Sequence, residues 1–477
     1  MDPVRSKTSG MSADSSASRA SGVDASARFR GKRITVIGLG LLGRGVGDAR
    51  YLAECGAELV VTDLKSREEL TESVVQLESY KNITFVLGEH RLEDFSAGGG
   101  PASGKRGPDM ILKAAGVPLD SPYIAEAKKN NIPVRMSADL FAELSGIPCI
   151  GVTGTRGKST VAHMLYAILK EAGKPAVLGG NVRGVSTLSL LKEITPEHIA
   201  VLELDSWQLQ GWGEAQMSPH IAVFVTLYQD HLNYYHNDLD AYLADKANIF
   251  LYQKPEDTLI LGKQCAPTII DRYGERIESK TIVVDETKLP DTWVLKIPGI
   301  HNRYNAALAL AAIRSLPAGR QGALDIPDEV SHRALEAFTG VPGRLELIAE
   351  KNGVKVYNDT TATTPEATLA ALSALDPART VLIMGGADKN LDMSALLARL
   401  PEVKKVILLA GTGTDCIKNE LPKGMIYHTI SDAVGAAIQE TKSGDTILFS
   451  PAFASLGMFK NEYDRGDQFN ELVKKLP

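Results

Sequence analysis

Short runs of β-branched and aliphatic residues alternate along the chain with longer stretches in which Ala and Leu recur at helical spacing. ITVIG (34–38), AELVVTD (57–63), FVLGEH (85–90) and ILKAAGV (111–117) read as strands. So do CIGVTG (149–154), HIAVLEL (198–204) and HIAVFVTL (220–227), and the pair around Leu345–Ile348 and Val354–Tyr357. VAHMLYAILKEAG (161–173), LDAYLADKANIF (239–250) and AALALAAI (306–313) read as helices. Strands that are apolar throughout, separated by helices, predict an α/β fold with mostly parallel sheets covered on both faces. Breaks near Ser145–Pro148 and Phe338–Pro342 divide the chain into three segments, 30–147, 148–338 and 339–477. The expected architecture is three consecutive α/β domains.

Composition adds exclusions. At ~150 residues per domain, the 477 residues also suggest three domains. Apolar residues at 44% and charged residues at 23% exclude a mainly disordered chain. Lys plus Arg number 52 against 58 Asp plus Glu, a net charge of -6. That gives no general attraction to nucleic acid or an anionic membrane. No apolar stretch reaches the ~18 residues that a membrane span needs. Cys55, Cys149, Cys265 and Cys416 are too scattered for a disulfide scaffold or a paired-cysteine metal site. Residues 1–29, rich in Ser and Ala, read as a disordered tail without the apolar centre of a secretory signal, and Asp2, Asp14 and Asp24 argue against a transit peptide. The expected location is cytoplasmic. Residues 96–107 (SAGGGPASGKRG) read as a flexible surface loop.

Two glycine motifs carry the chemistry. The first is Gly38-x-Gly40-x-x-Gly43, directly after a strand and before a helix, with Asp63 at the end of the next strand. This is the dinucleotide fingerprint: glycines let the backbone approach a diphosphate at the helix start, and the carboxylate can accept from a ribose or base. NAD or FAD, another diphosphate-bearing nucleotide, and a tight structural turn all remain open on this motif. The second runs Gly154-Thr155-Arg156-Gly157-Lys158-Ser159-Thr160 between a strand and a helix. Backbone amides and the helix start would hold ATP phosphates, Lys158 would add a point charge, and the Ser159 hydroxyl is placed for Mg²⁺. Val152 stands where the strict P-loop pattern has its first glycine. A chain that also cleaves ATP is not a simple hydride-transfer enzyme, so the first site more naturally takes a nucleotide-linked substrate.

Glu203 and His231 fall at the C-terminal ends of two middle-segment strands, where parallel sheets collect ligands, and are candidates for one Mg²⁺ cluster. His231 could equally be a loop histidine paired with Asp230. Lys246 by itself reads as a solvated charge. Asn302 and Asn305 could contact a purine edge or cap the helix they precede.

In these stretches the sequence closely resembles the Mur ligase family. The matches are IGLG-x-x-G (37–43), TGTRGKST (153–160), GGN (179–181), ELDSWQL (203–209), DH (230–231) and DKANIF (245–250). They continue with HNRYN (301–305), PGRLE (342–346), NDTTAT (358–363), GGADKN (385–390) and SPAFASLGMFKNEYDRGDQF (450–469). The resemblance implies a Rossmann-like N-terminal domain, a central P-loop ATPase-like domain and a C-terminal Rossmann-like α/β domain. It implies an ATP-dependent ligase that adds glutamate, of D configuration, to UDP-N-acetylmuramoyl-L-alanine through an acyl phosphate. The expected enzyme is a monomer in the cytoplasm. It implies that Gly38, Gly40, Gly43 and Asp63 serve the UDP moiety, Lys158 the γ-phosphate, and Ser159, Glu203 and His231 the Mg²⁺. It implies that Lys246 is carbamylated by CO₂ and bridges toward a second Mg²⁺. Asn181 would lie near substrate and phosphate, Asn302 and Asn305 near adenine, Arg344 and Asp359 over ATP phosphates and ribose, and Lys389, Ser455 and Phe459 at the incoming glutamate. The alternatives are the same step with L-glutamate, another Mur or folylpolyglutamate-type ligation, or a nucleotide-binding scaffold without catalysis.

The chain departs from common family forms at four places. Arg156 replaces an Asn beside the phosphates, and Asp205 a Ser. Thr361 replaces the Lys of NDSKAT, and Glu462 an aromatic residue near the glutamate pocket.

Overall fold

The computed structural model describes residues 25–40, 43–98, 106–230, 234–236, 238–316, 326–421 and 425–475. His231 and most of the glycine-rich loop expected at 96–107 lie outside the described residues, as does the expected tail up to residue 24. That tail was expected to extend to residue 29. Instead a 3-10 turn spans Ala25–Arg28, and Phe29 is buried edge-on against Tyr51. An apolar ring that reaches a core is ordered by the area it removes from water.

Three sheets form from consecutive stretches of chain. The first holds β1 (Arg33–Ile37), β2 (Glu58–Asp63), β3 (Ile83–Leu87), β4 (Met110–Lys113) and β5 (Val134–Arg135), in the order β3-β2-β1-β4-β5, all parallel. The second holds β6 (Cys149–Thr153), β7 (Ala176–Gly180), β8 (Ile199–Glu203), β9 (Ile221–Phe224), β10 (Thr258–Gly262) and β11 (Lys280–Val284). Its order is β11-β10-β9-β6-β8-β7, again all parallel. The third holds β12 (Glu346–Lys351), β13 (Val354–Asn358), β14 (Thr380–Gly385), β15 (Lys405–Leu409), β16 (Ile426–Tyr427) and β17 (Thr446–Phe449), in the order β12-β13-β17-β14-β15-β16. Only the β12–β13 pair is antiparallel. The architecture is therefore α/β throughout.

Strands β6, β8, β9 and β10 are buried at every position, because helices cover both faces of their sheet. The helix Lys158–Glu171 buries eight residues from Ser159 to Leu169, a stripe wider than a surface helix shows. It packs between the sheet and the helices Ile300–Arg314 and Asp328–Ala337. No helix among the described residues is long and apolar enough to cross a membrane.

In each sheet the strand order reverses beside a central strand: β1 between β2 and β4, β6 between β8 and β9, β17 between β13 and β14. The crevices beyond these strand ends are where parallel α/β sheets bind ligands. The glycine motifs and the Asp359–Ser450 pair emerge at these three places.

Candidate active site

The loop after β6 turns into the helix Lys158–Glu171 through Gly157, whose φ of 85° suits glycine. A Cβ there would lie 2.6 Å from Asn305 Oδ1 and 2.7 Å from Val225. The Thr155 amide donates to Thr226 O (2.7 Å), and the Arg156 amide to Thr226 Oγ1 (2.9 Å). The loop is thus tied to the segment after β9. Lys158 Nζ donates to the carbonyls of Gly154 (2.9 Å) and Thr155 (3.2 Å). Burial lowers its pKa, opposed by the charge of Glu203.

Ser159 and Glu203 line one cavity of about 280 Å³, with Asn181 and Arg183 on the same side. The Asn181 amide donates to Glu203 O (2.7 Å). Gly180, at φ 85°, makes that turn possible, since a Cβ would lie 2.1 Å from Glu203 O. Glu203 is 2% exposed, and among the described residues its carboxylate takes no hydrogen bond or ion pair. A buried carboxylate beside a serine hydroxyl is an oxygen donor set that fits a hard divalent cation. No cluster of three His, Cys, Asp or Glu that could hold a metal is found among the described residues.

Lys246 is not the solvated charge that its isolated context predicts. It is 1% exposed, because the helix Leu239–Ala247 turns it under the phosphate loop. Nζ donates to Gly154 O (3.1 Å) and Thr153 Oγ1 (3.3 Å) and lies 4.8 Å from the centre of the Tyr242 ring. Burial first, then the charge of Lys158, hold its pKa well below the ordinary lysine value.

The N-terminal glycine motif borders a cavity of about 200 Å³, lined by Gly38, Gly40, Arg44, Lys113, Ala114 and residues 136–138. Gly43, at φ 77°, starts the helix Arg44–Glu54. Asp63 braces the loop itself: Oδ2 accepts from the Leu39 (2.9 Å) and Gly40 (3.5 Å) amides, and Oδ1 from the Lys65 amide (3.0 Å).

On the other side of the phosphate loop, a cavity of about 390 Å³ gathers Arg156, Gly157, Thr160, Asn302, Asn305, Arg344 and Asp359. The capping alternative for the two asparagines fails. The helix Ile300–Arg314 starts at Gly299 without a side-chain cap, Asn302 Nδ2 donates to Pro298 O (2.6 Å), and Asn305 Nδ2 to Asn302 Oδ1 (3.4 Å). Asp359 accepts from Leu345 N (2.9 Å) and Ser450 Oγ (2.7 Å), and burial pushes its carboxyl up to about 7. Thr361 lines both this cavity and the 280 Å³ one, and donates to Gly343 O (2.8 Å).

Lys389 lies 3.7 Å from Asp230 Oδ1. Its loop pairs with the one carrying Ser455, through Ala387 and Ala454. Ser455 is buried, Phe459 is half-buried, and the Phe459 amide donates to Ser455 O (3.2 Å). Glu462 opens the helix Glu462–Lys474, and its carbonyl accepts from Thr360 Oγ1 (2.8 Å).

Four residues at the site escaped the sequence reading. Arg44 reaches Asn181 Oδ1 from the N-terminal helix. Lys113, 3% exposed, has its pKa lowered to about 8 by burial. Arg183 pairs with Asp467 and lies over the Tyr463 ring. Arg465 is fully buried and donates to Thr360 O (2.7 Å) and Phe453 O (3.1 Å), holding two site loops together. The only signal for Arg44 was its place directly after the third glycine.

Residues 152–293 match the Mur ligase middle domain, and residues 343–453 the Mur ligase glutamate ligase domain. The chain is 35% identical to the UDP-N-acetylmuramoylalanine--D-glutamate ligase of Roseiflexus sp. (strain RS-1), covering 94% of this chain and 100% of that one. It is 31% identical to the Treponema pallidum protein of the same name, covering 94% and 99%. Among solved structures, the MurF ligase of Thermotoga maritima in complex with ADP aligns with a TM-score of 0.55 at 18% identity, covering 87% of this chain and 95% of that one, a likeness of fold.

Proposed function

The chain belongs to the Mur ligase family, and on that premise we propose that it joins D-glutamate to UDP-N-acetylmuramoyl-L-alanine at the expense of ATP, as a cytoplasmic monomer. The observation that carries the reading is the 280 Å³ cavity, whose wall combines Ser159 and Glu203 from the phosphate-loop side with Asn358, Thr360 and Tyr463 from the C-terminal side. A phosphorylated carboxylate and an incoming amine would meet there.

In this reading the 200 Å³ cavity takes the UDP end of the acceptor, with Gly38, Gly40 and Gly43 at the diphosphate and Asp63 holding the loop in shape. Asn302 and Asn305 face adenine, and Arg344 and Asp359 the ATP phosphates and ribose. The alanyl carboxylate attacks the γ-phosphorus, giving an acyl phosphate and ADP. The glutamate amine then attacks the acyl carbon, phosphate leaves, and an amide forms. A carboxylate does not accept an amine directly, whereas an acyl phosphate has a good leaving group.

Lys158 offsets charge on the transferring phosphoryl group, and the loop amides and helix start orient it. Asn181 links the acceptor side to Glu203. Ser159, Glu203 and His231 would hold Mg²⁺, which supplies charge neutralisation and alignment when bound. Lys389, Ser455 and Phe459 receive the glutamate. The depressed pKa of Lys246 leaves more of its amine neutral, the form that adds CO₂, with loss of a proton, to give a carbamate. That anion would help hold a second Mg²⁺, which would supply further charge neutralisation.

The test is an acceptor panel. ADP release is measured with UDP-N-acetylmuramoyl-L-alanine and, in turn, D-glutamate, L-glutamate and other amino acids, and with a folate-type acceptor plus glutamate. Turnover only with the UDP-linked acceptor and D-glutamate is the expected result. Equal ADP release without either substrate would remove the ligase reading.

A further inference from the structure

Arg156 extends its side chain from the phosphate loop to the C-terminal part of the chain, while Nη1 also donates to Thr155 O (3.5 Å). Nη1 donates to Asp230 Oδ2 (3.2 Å) and Nη2 donates to the hydroxyl of Thr364, in the C-terminal part of the chain. Thr364 is 1% exposed and stands at the N-cap of the helix Pro365–Ser373 with extended backbone. A threonine there ordinarily accepts from the amides of its own helix. This one makes no such bond, and its oxygen receives Arg156 instead. The other oxygen of Asp230, a carboxylate that is nearly buried, faces Lys389 of the C-terminal sheet's loops at 3.7 Å. Arg156 also lines the 390 Å³ cavity with Arg344 and Asp359, which come from that same C-terminal part.

We propose that Arg156 is a positioning residue that couples the phosphate loop to docking of the C-terminal α/β unit, so that the site for the incoming amino acid and the site for ATP are completed together. The inference rests on the ligase reading above. Asp230 lies in the loop after β9, the strand that pairs with β6 ahead of the phosphate loop. Thr364 arrives only with the C-terminal unit. A planar guanidinium can serve both partners at once through separate nitrogens, which an ammonium or an amide does less well. Docking therefore changes the direction of a charge one residue from Gly157, beside the phosphates. The shared carboxylate of Asp230 ties the same event to Lys389.

The test uses the full chain with Arg156→Asn, Arg156→Lys, Thr364→Val and the Arg156→Asn/Thr364→Val double variant. The first readout separates kcat/KM for the amino acid from ATP affinity, the latter measured at equilibrium with a fluorescent ATP analogue. Arg156→Asn and Thr364→Val should each lower kcat/KM for the amino acid by about tenfold, with the double variant no worse than Arg156→Asn, because coupled partners are non-additive. ATP affinity should change less than kcat/KM, and Arg156→Lys should restore only part of the loss. Multiplying losses in the double variant, or a loss confined to ATP affinity, would overturn the proposal. The second readout does not depend on turnover: small-angle scattering with a non-hydrolysable ATP analogue. The wild-type chain should contract and Arg156→Asn should contract less; equal contraction would overturn the coupling. A wild-type chain inactive across the acceptor panel would remove the ligase reading, while the scattering comparison would still decide the coupling.

Discussion

Lys246 and Asp359 show how position in the fold changes what a side chain can do. Lys246 sits under the phosphate loop with its pKa lowered by burial and by Lys158. Lys246→Ala should abolish turnover, and short carboxylates such as formate or acetate should restore part of it by filling the space of a carbamate. A fully active Lys246→Ala protein would refute the carbamate role. Asp359 has its folded pKa pushed up to about 7 from an ordinary 3.8, because it is desolvated beyond what Ser450 and Leu345 compensate. The folded state therefore holds this proton more tightly than the unfolded state. The stability it contributes is fully present below its unfolded pKa and is lost as pH rises through about 7. Asp359→Asn lacks this titration. Its stability relative to wild type, from denaturant unfolding, should rise between pH 5 and pH 8, while ATP-dependent turnover falls. A pH-independent difference would show that Asp359 is ionised throughout.

Among the elements, the helix Ser206–Glu214 accounts for one departure from common family forms. Asp205 caps it: Oδ1 accepts from Gln208 N (2.8 Å), and the Gln208 side chain accepts from Asp205 N (3.3 Å), a capping box. An aspartate does the capping work of a serine and adds a charge that favours the helix start. Asp205→Ala should cost about 1 kcal/mol, read by thermal or denaturant unfolding, and no measurable loss would contradict the capping role. The strands β6, β8 and β9 were legible as elements because buried parallel strands are continuous apolar runs. Their ends were legible as candidate ligand positions for the same reason, which is how Glu203 was singled out. The burial of Lys246 was not, because neighbours two turns away on its own helix do not reveal what the helix packs under.

Across the whole molecule, polar contacts join the units built on the three sheets. Arg44 to Asn181, Arg156 to Thr364 and Arg183 to Asp467 each join residues far apart in sequence. The Arg183–Asp467 pair is about half-exposed at both ends, so solvent screens it. Arg183→Ala should change global stability by at most about 1 kcal/mol in denaturant unfolding. A loss several times larger would mean that this contact holds the fold together and is not a latch at the cavity mouth. On the proposed ligase reading, weak polar contacts would let the units part for substrates and close to exclude water from an acyl phosphate.

By itself the sequence determined the α/β class, the two glycine loops and the strand-end position of Glu203. These depend on local patterning: the apolar run of a buried strand, the glycine that a positive φ demands, and the helix start that follows. Only the tertiary structure decided that Lys246 is buried beneath the phosphate loop and that Asp63 is bound to its own glycine loop. It decided as well that Arg44, Lys113 and Arg183 line the candidate cavities and that Arg465 ties two loops together. It also decided that Arg156 reaches Thr364. Such roles depend on which distant segments are brought against a side chain, and on how far that neighbourhood strips it of water. Neither is set by the residues beside it in the chain.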